Sequence, residues 1–95
     1  MSAYTVRVEL KGYPSDEQYE KLHKLMAAQG FGQTVRGVTT SGQPSTFDLP
    51  HATYYGESGI ETSDLRDSLQ TKIKAAIQQK IVIFVAKTET WALGW

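Results

Sequence analysis

Apolar and polar residues alternate without interruption over residues 4–11, which read YTVRVELK. Because neighbouring side chains of a strand point to opposite faces, this alternation predicts a strand that is buried on one side only. Arg7, Glu9 and Lys11 follow the face opposite the two valines. The chain therefore begins with a strand of a sheet that covers a core on one side and leaves a charged row on the other.

Two later segments show the 3.6-residue spacing of amphipathic helices. The first is predicted at residues 15–29, where Ser15 and Gln18 have the spacing of a capping box. The second is predicted to begin at a cap formed by Thr62 or Ser63. Acidic residues lie near its start and lysines near its end, which is the polarity that the helix dipole favours.

Three further strands are indicated between and after these helices. Residues 31–40 are rich in Val and Thr and predict the second strand. The third begins near Ser45, and Pro50 interrupts it, so this strand is expected at an edge or broken there. The apolar run at residues 81–86, IVIFVA, is typical of a central strand buried on both faces.

The predicted order is strand, helix, strand, strand, helix, strand. This is the ferredoxin-like βαββαβ arrangement, an α+β fold in which two helices cover one face of a four-stranded antiparallel sheet. A chain of 95 residues suits one such domain over residues 1–95. The apolar stripes predict a single core that contains Val6, Val8, Leu22, Met26, Leu65, Leu69, Ile73, Ile83 and Val85.

Composition narrows the classes of function. Ten basic and ten acidic residues give zero net charge, so total charge supplies no non-specific attraction to nucleic acid. The absence of cysteine excludes disulfides and thiolate metal sites. No apolar run is long enough to span a membrane, and the N-terminus lacks the pattern of a signal peptide, so a cytoplasmic protein is expected. The small core and the tryptophans Trp91 and Trp95 favour a homodimer.

The charged row of the first strand is the first candidate site. Glu9 has the chemistry of a general base or of a ligand for a divalent metal ion. Arg7 and Lys11 would hold phosphate beside it, joined by Arg36 if the register of the second strand puts it on the same face. The alternative is a solvated row of ion pairs with no catalytic part. No motif specifies a metal, so its identity stays open.

The histidines are the second candidates. His23 lies in the first predicted helix, where it either acts as a general acid or base or is half-buried and hydrogen-bonded to a neighbouring loop. His51 follows Pro50 and is expected to be exposed. Tyr54 and Tyr55 point to opposite faces of a strand, so one faces outward. Because the first strand has no aromatic residue on its charged side, RNA binding by base stacking is disfavoured.

Short motifs spread over nearly the whole chain resemble the GhoS-like family of small bacterial proteins. They are VRVEL in the first strand, Tyr19 with Leu22-His23, Met26 and Gly30-Phe31 around the first helix, Leu49-Pro50 with Ala52 and Tyr54, and Trp91. The family is grouped with an antitoxin that is an endoribonuclease of a type V toxin–antitoxin pair.

The resemblance implies a ferredoxin-like fold and cleavage of single-stranded RNA. In the wider group of such ribonucleases an acidic residue at the end of the first strand lies near the dimer axis, and the resemblance implies that Glu9 would occupy that place here. The expected catalytic residues are Glu9, Arg7, Arg36 and His23. Lys11, His51 and Tyr54 are the expected binding residues. The alternative function is a non-catalytic dimerisation or protein-binding module on the same fold.

Overall fold

The alternating segment at the start of the chain forms the first strand, which lies in the interior of an antiparallel sheet. The computed structural model describes residues 1–93 and shows a mixed α+β fold. Its elements are β1 (Ser2–Leu10), α1 (Asp16–Ala28), β2 (Phe31–Gly32), β3 (Thr34–Val38), β4 (Pro44–Asp48), β5 (Thr53–Ser58), α2 (Thr62–Ala76) and β6 (Ile81–Lys87).

The main sheet has four strands in the order β2-β5-β1-β6, and every neighbouring pair is antiparallel. This confirms the predicted four-stranded antiparallel sheet. β3 and β4 form a separate two-stranded sheet that the apolar pattern did not predict. Residues 31–40 are therefore not one strand. Only β2 pairs with the main sheet, and Gln33 separates it from the hairpin.

The core lies between the main sheet and the two helices. All nine predicted core residues belong to it: seven are buried, and Ile83 and Val85 are partly buried and pack against them. Burial in β1 alternates as expected, with Val6 and Val8 inside and the charged row outside. The structure adds further buried members, which are Tyr4, Leu10, Phe31, Tyr54 and Ile77.

The two helix starts differ. In α1 the backbone N–H of Gln18 donates to Ser15 Oγ at 3.2 Å, and the backbone N–H of Ser15 donates to Gln18 Oε1 at 2.9 Å, which confirms the capping box. In α2 the cap is Glu61, whose side chain makes no capping hydrogen bond. The prediction of Thr62 or Ser63 was therefore wrong, because the helix begins at Thr62 itself.

The prediction that the apolar run of β6 is central was wrong. β6 lies at an edge of the main sheet, with β1 as its only neighbour among the described strands. Its residues alternate between core and surface, so Val82 and Phe84 are 51% and 62% exposed. The run is continuous because apolar side chains occupy both faces of β6. The helices cover only the face that carries Ile81, Ile83 and Val85.

The third predicted strand is broken near Pro50, as expected. β4 ends at Asp48, and β5 begins at Thr53 after a turn in which Ala52 has a positive φ of 56°. Trp91 packs edge-on against Phe47 of the hairpin, with ring centroids 6.3 Å apart. Trp95 lies outside the described residues. Neither described helix is long and apolar enough to cross a membrane.

Candidate functional site

Two histidines and two tyrosines meet where α1 passes the turn before β5. Tyr19 and His23 are four residues apart on α1, so their side chains lie on one face of the helix. His51 comes from the turn and Tyr54 from β5. The imidazole rings of His23 and His51 are 6.2 Å apart and nearly perpendicular, at 89°. We call these four residues the imidazole cluster.

His23 is hydrogen-bonded to a residue of the core. Its Nδ1 and the hydroxyl of Tyr54 form a hydrogen bond of 2.7 Å. Tyr54 has 0% exposed surface, whereas His23 is half-buried. This agrees with the expectation of a half-buried, hydrogen-bonded histidine, except that its partner lies on a strand rather than in a loop. Because Tyr54 is enclosed in the core, its side chain is not exposed to a bound molecule, and its hydroxyl contacts His23.

Burial raises the pKa of Tyr54 above its ordinary value of 10.0, and the neighbouring Tyr19 adds to the rise. The hydroxyl therefore keeps its proton at neutral pH. It either donates to a bare Nδ1 of His23 or accepts from a protonated one, according to the tautomer of the ring. In both cases the bond occupies Nδ1 and leaves Nε2 to contact a bound molecule.

His51 is the exposed member of the cluster. Its ring lies against the ring of Tyr19, with centroids 4.5 Å apart in an edge-to-face arrangement. Edge-to-face contacts of this kind restrict the orientation of an exposed ring. Within the described residues the His51 side chain makes no hydrogen bond. Both of its ring nitrogens are therefore available to a bound molecule.

The charged row of β1 is only partly an ion-pair row. Lys11 Nζ and Glu9 Oε1 are 3.2 Å apart, and both side chains are about half exposed. Arg7 is exposed and forms no ion pair or hydrogen bond among the residues that the structure describes. Glu9 therefore has a basic partner, and Arg7 is the cation of this row that stays unpaired.

Arg36 does not lie in the main sheet. It belongs to β3, where it pairs across the hairpin with Thr46. Its register therefore does not bring it to β1, and no ion pair joins it to Glu9 in the described part of the chain. The four expected catalytic residues thus fall into separate places, with Arg7 and Glu9 on β1, His23 in the imidazole cluster and Arg36 on the hairpin.

The open face of the main sheet carries aromatic residues. Arg7 of β1 is directly opposite Phe84 of β6, and Thr5 is opposite Tyr55 of β5. Phe84 is mostly exposed and Tyr55 is half-buried. β1 itself has no aromatic residue on this face, and Tyr55 is the outward-facing tyrosine of its pair, as expected. Phe84 was not expected there, because β6 was interpreted as buried on both faces.

The imidazole cluster lies close to the Glu9 end of β1. The backbone N–H of Val8 donates to the carbonyl of Ala52 at 3.0 Å, so the turn that carries His51 runs beside Val8 and Glu9. The imidazole cluster is on the side of the sheet where α1 packs, and the charged row is on the open side. Sequence reasoning had considered each of them alone, and nothing in the sequence linked His51 to α1.

No group of three or more His, Asp or Glu side chains within residues 1–93 is arranged to hold a metal ion. Comparison with models of known protein families and with curated proteins finds no match for this chain.

Proposed function

We propose that this protein is an endoribonuclease that cleaves single-stranded RNA, with His23 and His51 as its acid–base pair. The observation that carries the proposal is the pair of imidazoles with ring centroids 6.2 Å apart. The resemblance to the GhoS-like family supports the choice of RNA. The proposal includes a ferredoxin-like topology for the main sheet, with the β3–β4 hairpin as an insertion, and a role as an antitoxin that cuts a toxin transcript.

The chemistry needs two proton-transferring groups on opposite sides of one phosphate. One imidazole takes the proton of the ribose 2′-hydroxyl, and that oxygen attacks phosphorus. The bond from phosphorus to the 5′-oxygen breaks, and the second imidazole gives this oxygen a proton. The products are a 2′,3′-cyclic phosphate and a 5′-hydroxyl. Each nitrogen must come within about 3 Å of its oxygen, so the rings must be several ångströms apart, as they are here.

The other candidates take supporting roles in this mechanism. Glu9 has Lys11 as its partner, so the proton transfers are assigned to the imidazoles instead. Arg7 supplies a positive charge on the open face of the sheet, where it attracts the phosphate backbone. Tyr54 is a positioning residue that acts through His23.

The test is cleavage of a labelled single-stranded RNA by wild type, His51→Ala and His23→Gln. Each substitution is expected to lower the rate by about 10²–10⁴-fold, the usual contribution of a general acid or base. The wild-type product should carry a 2′,3′-cyclic phosphate. Lys24→Ala, which removes an exposed neighbour of His23 on α1, is the matched control and should cleave like wild type.

Circular dichroism checks that each variant is folded. Cleavage by His51→Ala at the wild-type rate would overturn the acid–base assignment. So would cleavage that stops when EDTA is added, because the proposed steps use no metal ion. Absence of cleavage of any RNA would overturn the enzymatic function as a whole.

The second candidate function is a dimerisation module. Its observation is the free edge of β6, which has no hydrogen-bonded neighbour on its outer side in the described structure and carries the exposed Val82. Unpaired apolar edges favour pairing with another strand. Edge-to-edge pairing of two copies would join their main sheets and leave the open face uncovered.

Sedimentation velocity at high micromolar concentration tests this candidate. Wild type is expected as a dimer and Val82→Lys as a monomer. Ile60→Lys adds the same charge at another exposed apolar position, outside the strands, and should remain a dimer. A wild-type monomer would rule the module out.

A further inference from the structure

Phe84 is an exposed aromatic ring on the open face of the sheet, at the middle of the edge strand β6. It is 62% exposed, although its strand neighbours Ile83 and Val85 pack on the core. Its backbone is held in register by the pairing of β6 with β1, so the position of the ring is fixed by the sheet. Val82, two residues away on the same face of β6, is also 51% exposed, and exposed apolar side chains that lie together mark a binding surface.

The neighbour of this ring is an unpaired cation. Arg7 lies directly opposite Phe84, and side chains opposite each other on antiparallel strands have Cβ atoms about 5 Å apart. Glu9 is the nearest acid along the strand, but its carboxylate is engaged by Lys11 at 3.2 Å. The charge of Arg7 is therefore free to act on a bound molecule beside the ring.

We propose that Phe84 and Arg7 form a binding site for one nucleotide of a single strand. The ring of Phe84 stacks on the base, and the guanidinium of Arg7 binds an adjacent phosphate. A ring and a free cation side by side match the two chemical parts of a nucleotide, and this complementarity favours nucleic acid over an apolar protein surface. The inference rests on the proposed function, to which it adds the surface that binds the substrate.

The geometry of the sheet supplies a path from this site. Tyr55 lies two strands away on the same face, about 12 Å from Phe84 by strand spacing and rise, and is a second, half-buried ring. The imidazole cluster lies on the other side of the sheet, where α1 packs. A strand bound at Phe84 and Arg7 therefore extends along the open face towards Tyr55.

Binding is measured separately from cleavage by using single-stranded DNA, which lacks the 2′-hydroxyl that the proposed reaction requires. Fluorescence anisotropy follows a labelled oligonucleotide at several salt concentrations. Phe84→Leu keeps an apolar side chain and removes the ring, and it should weaken binding about tenfold or more. Phe84→Tyr keeps the ring and should bind like wild type. Arg7→Gln should weaken binding and lower the salt slope by about one.

Two matched controls separate this site from a general effect. Tyr13→Leu removes a fully exposed ring elsewhere, and Lys24→Gln removes an exposed cation on α1. Both should bind like wild type. Duplex DNA should bind more weakly than the single strand, because its bases are already stacked.

The outcomes for this site and for the ribonuclease are distinguishable. Loss of RNA cleavage in His51→Ala together with loss of single-stranded DNA binding in Phe84→Leu supports both. Wild type that binds but does not cleave keeps the nucleotide site and removes the ribonuclease. Phe84→Leu that binds as tightly as wild type overturns the nucleotide site. A Phe84→Leu variant that changes only the sedimentation coefficient overturns it as well, in favour of a contact between copies.

Discussion

The hydroxyl of Tyr54 lies 2.7 Å from Nδ1 of His23, so a fully buried side chain fixes the orientation of a half-buried imidazole. This links the core to the surface by one hydrogen bond. Tyr54 belongs to β5, and its ring packs among the apolar residues that hold α1 on the sheet. Any change that loosens this packing therefore also changes the position of His23.

Removal of this hydroxyl should cost stability even though the ring remains. Tyr54→Phe is expected to lower the free energy of unfolding by about 0.5–1.5 kcal/mol, the usual net value of one hydrogen bond. Urea unfolding measures it. Tyr13→Phe removes the hydroxyl of a fully exposed tyrosine and should leave the midpoint unchanged. Equal midpoints for wild type and Tyr54→Phe would mean that the bond does not stabilise the fold.

The same tyrosine predicts a loss of stability in alkali. Its pKa in the folded state is raised above 10.0, so above that pH the unfolded chain loses the proton first. The unfolded state then binds fewer protons than the folded state, and stability falls as the pH rises through this window. Wild type should lose more stability than Tyr54→Phe between about pH 10 and 11. Parallel curves for the two proteins would contradict the assignment.

Gly56 on β5 is predicted to tolerate no side chain. A Cβ at this position would overlap the backbone oxygen of Gly30 and lie 2.8 Å from Cδ1 of Phe31. Because backbone atoms cannot move aside, Gly56→Ala should destabilise the protein by about 1–3 kcal/mol. Gly59→Ala is the matched control, since nothing lies within 4 Å of its Cβ. Thermal unfolding of both variants tests the contrast, and equal melting temperatures would refute it.

The caps of the two helices predict different changes in stability for alanine substitutions at the two cap residues. Ser15→Ala removes the hydroxyl that accepts from the backbone N–H of Gln18, keeps the backbone N–H that donates to Gln18 Oε1, and should cost about 1 kcal/mol. Glu61→Ala replaces a cap residue whose side chain makes no such bond and should change stability little. Chemical denaturation measures both variants. A larger loss for Glu61→Ala than for Ser15→Ala would be incompatible with the observed caps.

Leu69 of α2 and Val82 of β6 lie on opposite sides of the main sheet, one on the covered side and one on the open side. Leu69 is 1% exposed on the core side, so Leu69→Ala should cost about 2–5 kcal/mol through lost burial and the cavity left behind. Val82 is 51% exposed on the open side, and Val82→Ala should change stability by less than about 0.5 kcal/mol. Similar losses for both would mean that the open face is covered in solution.

The sequence was informative where a pattern is local. The period-two alternation of β1 correctly assigned Val6 and Val8 to the core, and the spacing of Ser15 and Gln18 identified the capping box. Both signals arise from neighbours along the chain, because side-chain direction and capping depend on the local backbone. The nine predicted core residues follow from the same periodicities.

Strand order and long-range contacts could not be predicted from such local patterns. The apolar run of β6 has the same composition whether one face or both faces are covered, so its edge position could not be read from it. The contact between His23 and His51 depends on the turn at Ala52. No local sequence motif predicted the positive φ of Ala52. Tyr19 and His23 are four residues apart on α1, but no pattern in the sequence joined them to His51 and Tyr54.

The alternation along β6 has a consequence for mutational scanning. Ile81, Ile83 and Val85 contact the core, whereas Val82 and Phe84 face the open side. Substitutions at the odd positions should therefore change abundance in a cell, and those at the even positions should change phenotype at constant abundance. Abundance and phenotype measured across a saturation library of this strand should vary with a period of two residues. Loss of abundance and loss of function would then alternate from one codon to the next.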